Sequence, residues 1–342
     1  MEKPKKVVII AEAGVNHNGE IAQAIKLIEK AKEVGADVIK FQTFKANQVA
    51  TKSSPKATYQ LGVTDPNESQ LNMLKALELD YKHYQEIVQK CKELEIGFMS
   101  TPYGFGDADF LNDLGVESFK IASGQLTELP FLRYIARMHK PMILSTGMAN
   151  MAEVFDAVEA IRAEGNDQIT VLQCTTNYPS RVEDANVLAM CSIRDACKVV
   201  VGYSDHVETN YATYAAVALG AEVIEKHFTL DRNAKGPDHS SSLDVEGFRT
   251  LVKGIREVEA ALGTGLKVPS QAEKDNTFGM KRSLVAAVNI AKGSTIEASM
   301  LGFKRPESGL AVNMYDSIIG KKAATDIVAD EPLQMDSIVW EA

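Results

Sequence analysis

Short apolar runs recur along the chain, each closed by polar residues and followed by a stretch of helical periodicity. The runs at 7–11, 38–44, 97–101, 118–123, 141–146, 169–175, 199–205 and 223–229 have the length and branched-residue content of buried strands. Between them the spacing changes. Ile21, Ala24, Ile25, Ile28 and Ala31 fall on one helical face that stops at Gly35, and Tyr81, Tyr84, Ile87, Val88, Cys91 and Leu94 form another. Residues 45–80 break the rhythm with Ser53, Ser54, Pro55, Asp65 and Pro66, which predicts a long excursion over one face.

Eight such strand–helix units predict a closed (β/α)₈ barrel, an α/β fold. An open doubly wound sheet would need a glycine-rich phosphate loop after the first strand, and the EAGVNHNG that follows it lacks the GxGxxG spacing. Alternate residues of each strand must fill the barrel, and Val8, Ile10, Ile143 and Val171 are suited to that. A closing helix is expected over 245–262, with Asp244 as its cap and Val245, Phe248, Val252, Ile255 and Leu262 on its buried stripe. The barrel domain therefore spans 1–262. Residues 263–280, marked by Gly263, Gly265 and Pro269, read as a linker. From 281 to 342 short strands and turns predict a small, mainly β module, too small to bury much core alone.

Composition narrows the setting. With 37 basic and 46 acidic residues the formal charge is -9, so no general surface for nucleic acid or anionic lipid is indicated. Cys91, Cys174, Cys191 and Cys197 form no CxxC pair and fit a reduced compartment, with Cys174 expected in the core. The opening MEKPKKVVII has no long apolar stretch of the signal-peptide kind, and no run approaches a membrane span, so a cytoplasmic protein is expected.

Chemistry gathers at the strand ends. Collected there are Glu12, Lys40, Gln42, Ser100, Thr101, Lys120, Ser123, Ser145, Thr146, Thr175, Thr176, Ser204, His206, Glu225 and His227. In a barrel, polar residues at the C-terminal ends of strands face the active-site mouth. Lys40 and Lys120 interrupt apolar strands, where an unpaired ammonium is costly. Two lysines with several hydroxyls describe a pocket for a multiply charged anion, most simply a phosphate carried with a carboxylate. His206 and His227 would lie on neighbouring strand ends, where they could share a divalent ion or one could act as a base. Glu12 is placed to handle a proton or orient water. Structural roles suit His83, His139 and Trp340, while His17 and Asn16 sit in the first loop and His239 in a GPDH turn. A serine nucleophile is disfavoured by the absence of a GxSxG elbow. A Schiff-base aldolase using Lys40 or Lys120 would leave the histidine pair without a role.

In order and spacing, AEAGVNHNG, VIKFQTFKA, FMSTPYG, FKIASG, PMILSTGM, CTTNYP, VGYSDH, EKHFT and GPDHSSSL resemble the motifs of the sialic acid synthase family. The last module, with LGFKRP, resembles that family's antifreeze-like (SAF) domain. The resemblance implies condensation of phosphoenolpyruvate with an open-chain N-acetylated amino sugar, giving a nine-carbon 2-keto-3-deoxy acid and phosphate. It also implies a divalent metal, manganese first, with magnesium or cobalt as substitutes. Carried over by position, His206 and His227 would hold the metal, supported by Glu225. Lys40, Gln42, Thr101, Lys120, Ser123, Ser145 and Ser204 would line the phosphoenolpyruvate site, and Glu12 would lie near the reacting centre. Thr176, Tyr178 and Asp238 would meet the sugar. Arg305 would reach the N-acetyl region of a second subunit's site, which implies a domain-swapped homodimer.

Three positions depart from the family pattern: Thr176 stands where some members carry Asn, Gln125 where an acidic residue is usual, and Glu128 where Asn is common. N-acetylmannosamine is the favoured acceptor on the sequence, with 2,4-diacetamido-2,4,6-trideoxymannose, the legionaminic acid precursor, as the alternative. A non-catalytic glycan-binding or ice-binding protein fits poorly, because Lys304 and Arg305 would sit badly on a flat apolar face.

Overall fold

The computed structural model describes residues 6–340 apart from 63 and 66, and the side chain of Tyr59 is also outside the description. Expectations placed on residues 1–5, on Pro66 and on the final two residues therefore lie outside the described residues.

Eight strands form a single parallel ladder: β1 (Val8–Gly14), β2 (Val38–Thr43), β3 (Gly97–Pro102), β4 (Phe119–Ile121), β5 (Met142–Ser145), β6 (Ile169–Cys174), β7 (Val200–Asp205) and β8 (Val223–His227). The order is β3-β2-β1-β8-β7-β6-β5-β4, and the two ends of the ladder, β3 and β4, pack side by side, so the sheet curls into the predicted barrel. Helices over Ile21–Glu33, Tyr84–Glu93, Phe105–Leu114, Leu129–Ala136, Met151–Arg162, Leu188–Cys197, Tyr211–Ala218 and Val245–Leu262 return the chain between strands or close the ring. Asp244 caps the last of these through Gly247 N at 2.8 Å.

Strand parity divides the barrel into two apolar layers. One face of each strand packs on the helices and includes Ile9, Ile39, Val171 and Ile224. The other points inward, where Ile10, Met99, Ile143, Leu172 and Val223 form a separate cluster joined by Val38. Each such side chain contributes about 1.5–3 kcal/mol when fully buried. Ile10 and Ile143 thus fill the barrel as expected. Val171 does not, because on β6 it is Leu172 that points inward. Val8 shares the face of Ile10 but sits at the open bottom rim, 38% exposed.

The excursion after β2 carries three short helices, Ala46–Val49, Thr58–Leu61 and Gln70–Leu77. It is braced by Lys56, whose buried ammonium donates to Thr64 Oγ1 (2.9 Å), to the Asp65 carbonyl (2.7 Å) and to Glu68 Oε2 (3.3 Å). Met73 and Leu77 pack with Val15 and Phe44 against Leu74 and Tyr103.

The chain divides into two compact units, Met1–Gly265 and Leu266–Ala342. The stretch read as a linker contains a helix, Gln271–Met280, in which no residue is buried, and Ser270 caps it through Glu273 N. In the second unit β9 (Ser283–Ala286) pairs antiparallel with β10 (Leu301–Lys304), and isolated bridges such as Ile290 with Ile327 and Ala323 with Ile338 complete it. It has its own buried cluster, including Leu284, Ile290, Ile296, Leu310, Ile327, Leu333 and Ile338. No helix among the described residues is long and apolar enough to cross a membrane.

Candidate active site

Above the inner apolar layer, the next residues inward on the same strand faces are charged or hydroxylic. They surround a cavity of about 500 Å³ at the C-terminal mouth of the barrel. Glu12, Lys40, Gln42, Thr101, Lys120, Ser123, Ser145, Thr176, Tyr178, Ser204, His206, Glu225, His227 and Asp238 all line it. The structure thus gathers the barrel residues expected at the binding site, whereas Ser100, Thr146 and Thr175, also collected at the strand ends, are absent from the lining and bond to Thr43 Oγ1, the Leu172 carbonyl and the Asp184 carbonyl. Arg305 belongs to the second unit, beyond the exposed end of β10.

The floor is a four-membered ionic network. Lys40 Nζ lies 3.1 Å from Glu12 Oε2 and 3.4 Å from Glu225 Oε2, with Thr101 Oγ1 at 3.4 Å. Lys120 Nζ donates to Ser145 Oγ at 2.6 Å and to the Ile121 carbonyl at 3.1 Å, and lies 3.8 Å from Glu225 Oε1. Ser204 Oγ donates to Glu225 Oε1 at 3.0 Å, and Gln42 Nε2 to Glu12 Oε1 at 3.2 Å. Glu12 Oε2 and Glu225 Oε2 approach Lys40 without hydrogen-bond geometry and have no other partner. All four charged side chains are buried. Sequestering them costs several kcal/mol per ion, so the network is held in place by the surrounding fold.

Burial sets the protonation of these groups. It pushes the Glu12 carboxyl up to about 7, helped by Glu225 and opposed by Lys40. It pulls the Lys120 ammonium down to about 8, against the attraction of Glu225. Burial also opposes ionisation of Glu225, but Lys120, Lys40 and His227 outweigh it and hold that carboxylate at about 2. For Lys40, Glu12 and Glu225 overcome the burial penalty and raise it above its ordinary value. Asp238 is raised to about 6 by burial, with His206 opposing. Two carboxyls on one floor are thus driven apart in acidity, an arrangement suited to separate catalytic roles.

Beside the network His206 and His227 stand with ring centroids 5.3 Å apart, and the Tyr178 ring lies 4.2 Å and 5.5 Å from them. Nδ1 of His206 meets the Thr175 carbonyl at 2.7 Å, which fixes it as the donor and leaves Nε2 with a free lone pair. His227 is held neutral chiefly by burial, then by His206 and Lys40, and its Nδ1 is buried without a partner. At His206 burial is outweighed by the Cys174 sulfur and the Thr175 carbonyl, which raise it above its ordinary value. Once unprotonated, the two imidazoles on adjacent strand ends suit a divalent ion completed by water and substrate oxygens. No group of three or more His, Cys, Asp or Glu side chains of metal-holding geometry occurs among the described residues.

Other expected residues have structural tasks. Gln125 donates from Nε2 to the Pro102 carbonyl at 3.0 Å, and its Oε1 accepts from Ala122 N at 3.3 Å. It therefore ties the end of β3 to the end of β4. His239 Nδ1 meets Thr229 Oγ1 at 2.7 Å, and Asn16 Nδ2 donates to the Phe228 carbonyl and to Ser242 Oγ, both at 2.9 Å. Cys174 is buried as expected and, because it shares the inward parity of Leu172, also lines the cavity with its sulfur 3.8 Å from His206 Nδ1. Gly147 was not singled out. Its amide donates to Ser123 Oγ at 3.0 Å, and a Cβ there would lie 1.9 Å from Thr176 Oγ1.

Away from the strand ends the lining mixes apolar side chains with the amides of Gln48, Gln60 and Gln70, and the apolar part forms one wall. Val15, Phe44, Val49, Met73, Leu74 and Leu77 line it, most of them from the excursion. Aperiodic sequence gave no sign of which of its side chains would turn inward.

A NeuB family model matches residues 27–267, and a SAF domain model matches residues 281–339. The chain is 46% identical to the N,N'-diacetyllegionaminic acid synthase of Campylobacter jejuni, over 96% of this chain and 98% of that one. It is 40% identical to the enzyme of the same name from Legionella pneumophila, over 97% and 93%. The crystal structure of N-acetylneuraminic acid synthetase from Leptospira borgpetersenii, in complex with citrate, superposes with a TM-score of 0.70 at 30% identity, covering 80% of this chain and 90% of that one.

Proposed function

This chain belongs to the NeuB family, and from that premise we propose that it is a phosphoenolpyruvate-dependent nonulosonic acid synthase acting on 2,4-diacetamido-2,4,6-trideoxymannose. The products are N,N'-diacetyllegionaminate and phosphate. The observation that carries the acceptor assignment is the apolar group Val15, Phe44, Val49, Met73, Leu74 and Leu77 in the cavity lining. This sugar bears a C6 methyl and two acetamido methyls, which gain by leaving water for such a wall. The names of the two relatives described above point the same way. N-acetylmannosamine, favoured on the sequence, is the second reading. Gln48 and Gln70 on that wall offer amides to a hydroxylated chain.

In this mechanism Lys40, Lys120 and the hydroxyls of Thr101, Ser123, Ser145 and Ser204 hold the phosphate and carboxylate of phosphoenolpyruvate. C3 of the enol phosphate attacks the aldehyde carbon of the open-chain sugar, and water adds at C2. The tetrahedral centre then collapses to the ketone with C–O cleavage and loss of phosphate. Glu12 Oε2 faces the floor without a hydrogen-bond donor, and a carboxyl near neutrality can take the proton of the adding water there. A divalent metal held by His206 and His227, expected to be manganese, supplies Lewis acidity at the aldehyde oxygen when bound. Among the described residues no arginine lines the barrel cavity. We assign the grip on the sugar's N-acetyl region to Arg305 of a second protomer, which makes the working unit a domain-swapped dimer.

The deciding experiment is kcat/KM measured side by side for the two sugars. A preference of about 100-fold or more for the diacetamido sugar is expected. A preference of that size for N-acetylmannosamine sinks the acceptor assignment and leaves the synthase reading intact.

A pH dependence follows from Lys120. The pocket binds a polyanion best when this ammonium is protonated, so affinity is full below about 8 and declines as pH rises through that value. Calorimetry at pH 8 in two buffers of different ionisation enthalpy should register net proton uptake on phosphoenolpyruvate binding. Uptake absent at pH 8, with affinity flat from pH 7 to 9, would place the Lys120 transition elsewhere.

A further inference from the structure

On the outer faces of β7 and β8, hidden from the cavity, Asp205 and Lys226 are direct cross-strand partners. Both are buried, and Lys226 Nζ donates to Asp205 Oδ2 at 2.8 Å. Asp205 also accepts from Val207 N at 2.9 Å through Oδ1 and from Thr213 Oγ1 at 2.6 Å through Oδ2. The ammonium is completed by the Val207 carbonyl, in a short contact, and the Thr209 carbonyl at 3.4 Å. One charge pair therefore joins both strands, the loop after β7 and the helix Tyr211–Ala218.

Its members adjoin the histidines in sequence. His206 lies between Asp205 and Val207, both fixed by this network, and its own carbonyl accepts from Ser180 N at 2.8 Å. His227 follows Lys226 directly, and its carbonyl accepts from Leu243 N at 2.9 Å. Because side chains alternate across a strand, a clamp on the outer face fixes the inward angle and separation of the next residue. Fold stability alone is a weak reason for such a pair, since replacing a buried ion pair by neutral residues is often tolerated.

We propose that Asp205 and Lys226 are positioning residues that set the separation of His206 and His227 and so tune the affinity of that pair for a divalent metal. The inference rests on the reading of the two histidines as ligands. Outer-shell groups of this kind typically change metal affinity about 10–100-fold.

The test uses the full-length protein and manganese alone, titrated by calorimetry or by electron paramagnetic resonance. The double variant Asp205→Asn with Lys226→Met removes both charges together while keeping an acceptor for Val207 N. Manganese affinity should fall about 10-fold or more, while phosphoenolpyruvate affinity without metal stays within about twofold. A purely structural pair would move both affinities together. Manganese binding within about twofold of wild type in the folded double variant overturns the inference. Should the double variant not fold, Thr213→Val, which removes a single donor, decides in its place. Weaker manganese binding with phosphoenolpyruvate affinity unchanged supports the positioning role, and unchanged manganese binding overturns it. Wild-type protein that takes up no manganese, or a His206→Ala protein that takes up as much as wild type, overturns the metal reading and this inference with it.

Discussion

A Lys120→Met protein should fold normally and lose about a thousandfold in kcat/KM for phosphoenolpyruvate. Removing one preorganised donor from a dry site typically costs about 100- to 1,000-fold, and this donor carries a full charge. Methionine keeps the stem of the side chain, so the apolar packing beneath it survives. Glu225 is not left alone, because Lys40 stays 3.4 Å away and Ser204 still donates to it. Burying an ammonium costs several kcal/mol, so the melting temperature should hold or rise when it is removed. Activity within about tenfold of wild type would show that Lys120 is not aimed at the substrate's anionic groups.

Arg305→Ala should cost at least about 100-fold in kcat/KM for the sugar with no change in melting temperature. A guanidinium offers a planar fork that grips an acetamido or carboxylate oxygen directionally, which a lysine cannot copy. If Arg305 made only a surface ion pair, its removal would cost about 0–1 kcal/mol and leave turnover untouched. Mixing Arg305→Ala with Lys120→Met protein tests the assignment to a second protomer. After subunit exchange, each heterodimer has one barrel with Lys120 facing an incoming intact arginine. Up to half of wild-type activity per heterodimer should return. If mass analysis confirms exchange and activity stays absent, Arg305 does not work across subunits.

Much of the barrel was legible because burial on both faces forces strands into compact apolar runs, and every interruption is then informative. Lys40 and Lys120 were the clearest signals, since nothing but a partnered site tolerates them there. Parity was harder. A run such as Ile169–Cys174 is apolar on both faces, so Val171 and Leu172 compete for the interior and only the register with β5 and β7 decides. That ambiguity also hid the cavity contact of Cys174. The outer clamp was missed for a related reason: Asp205 and Lys226 each precede a histidine, and sequence does not separate a group facing the pocket from one facing away. Gln125, a departure from the family pattern, lines the cavity and also ties β3 to β4, where the ladder has no hydrogen-bonded rungs.

The excursion after β2 holds itself together. Lys56 spends its donors on Thr64, Asp65 and Glu68, all within the segment, and none on a barrel strand. The wall proposed to meet the acceptor is therefore braced from within its own segment. Its tie to the barrel mouth is the apolar packing of Met73 and Leu77 with Val15, Phe44 and Tyr103, a kind of contact that accepts volume-conserving change. A lineage built this way can change its sugar by altering one self-braced insertion and inherit the chemistry unchanged.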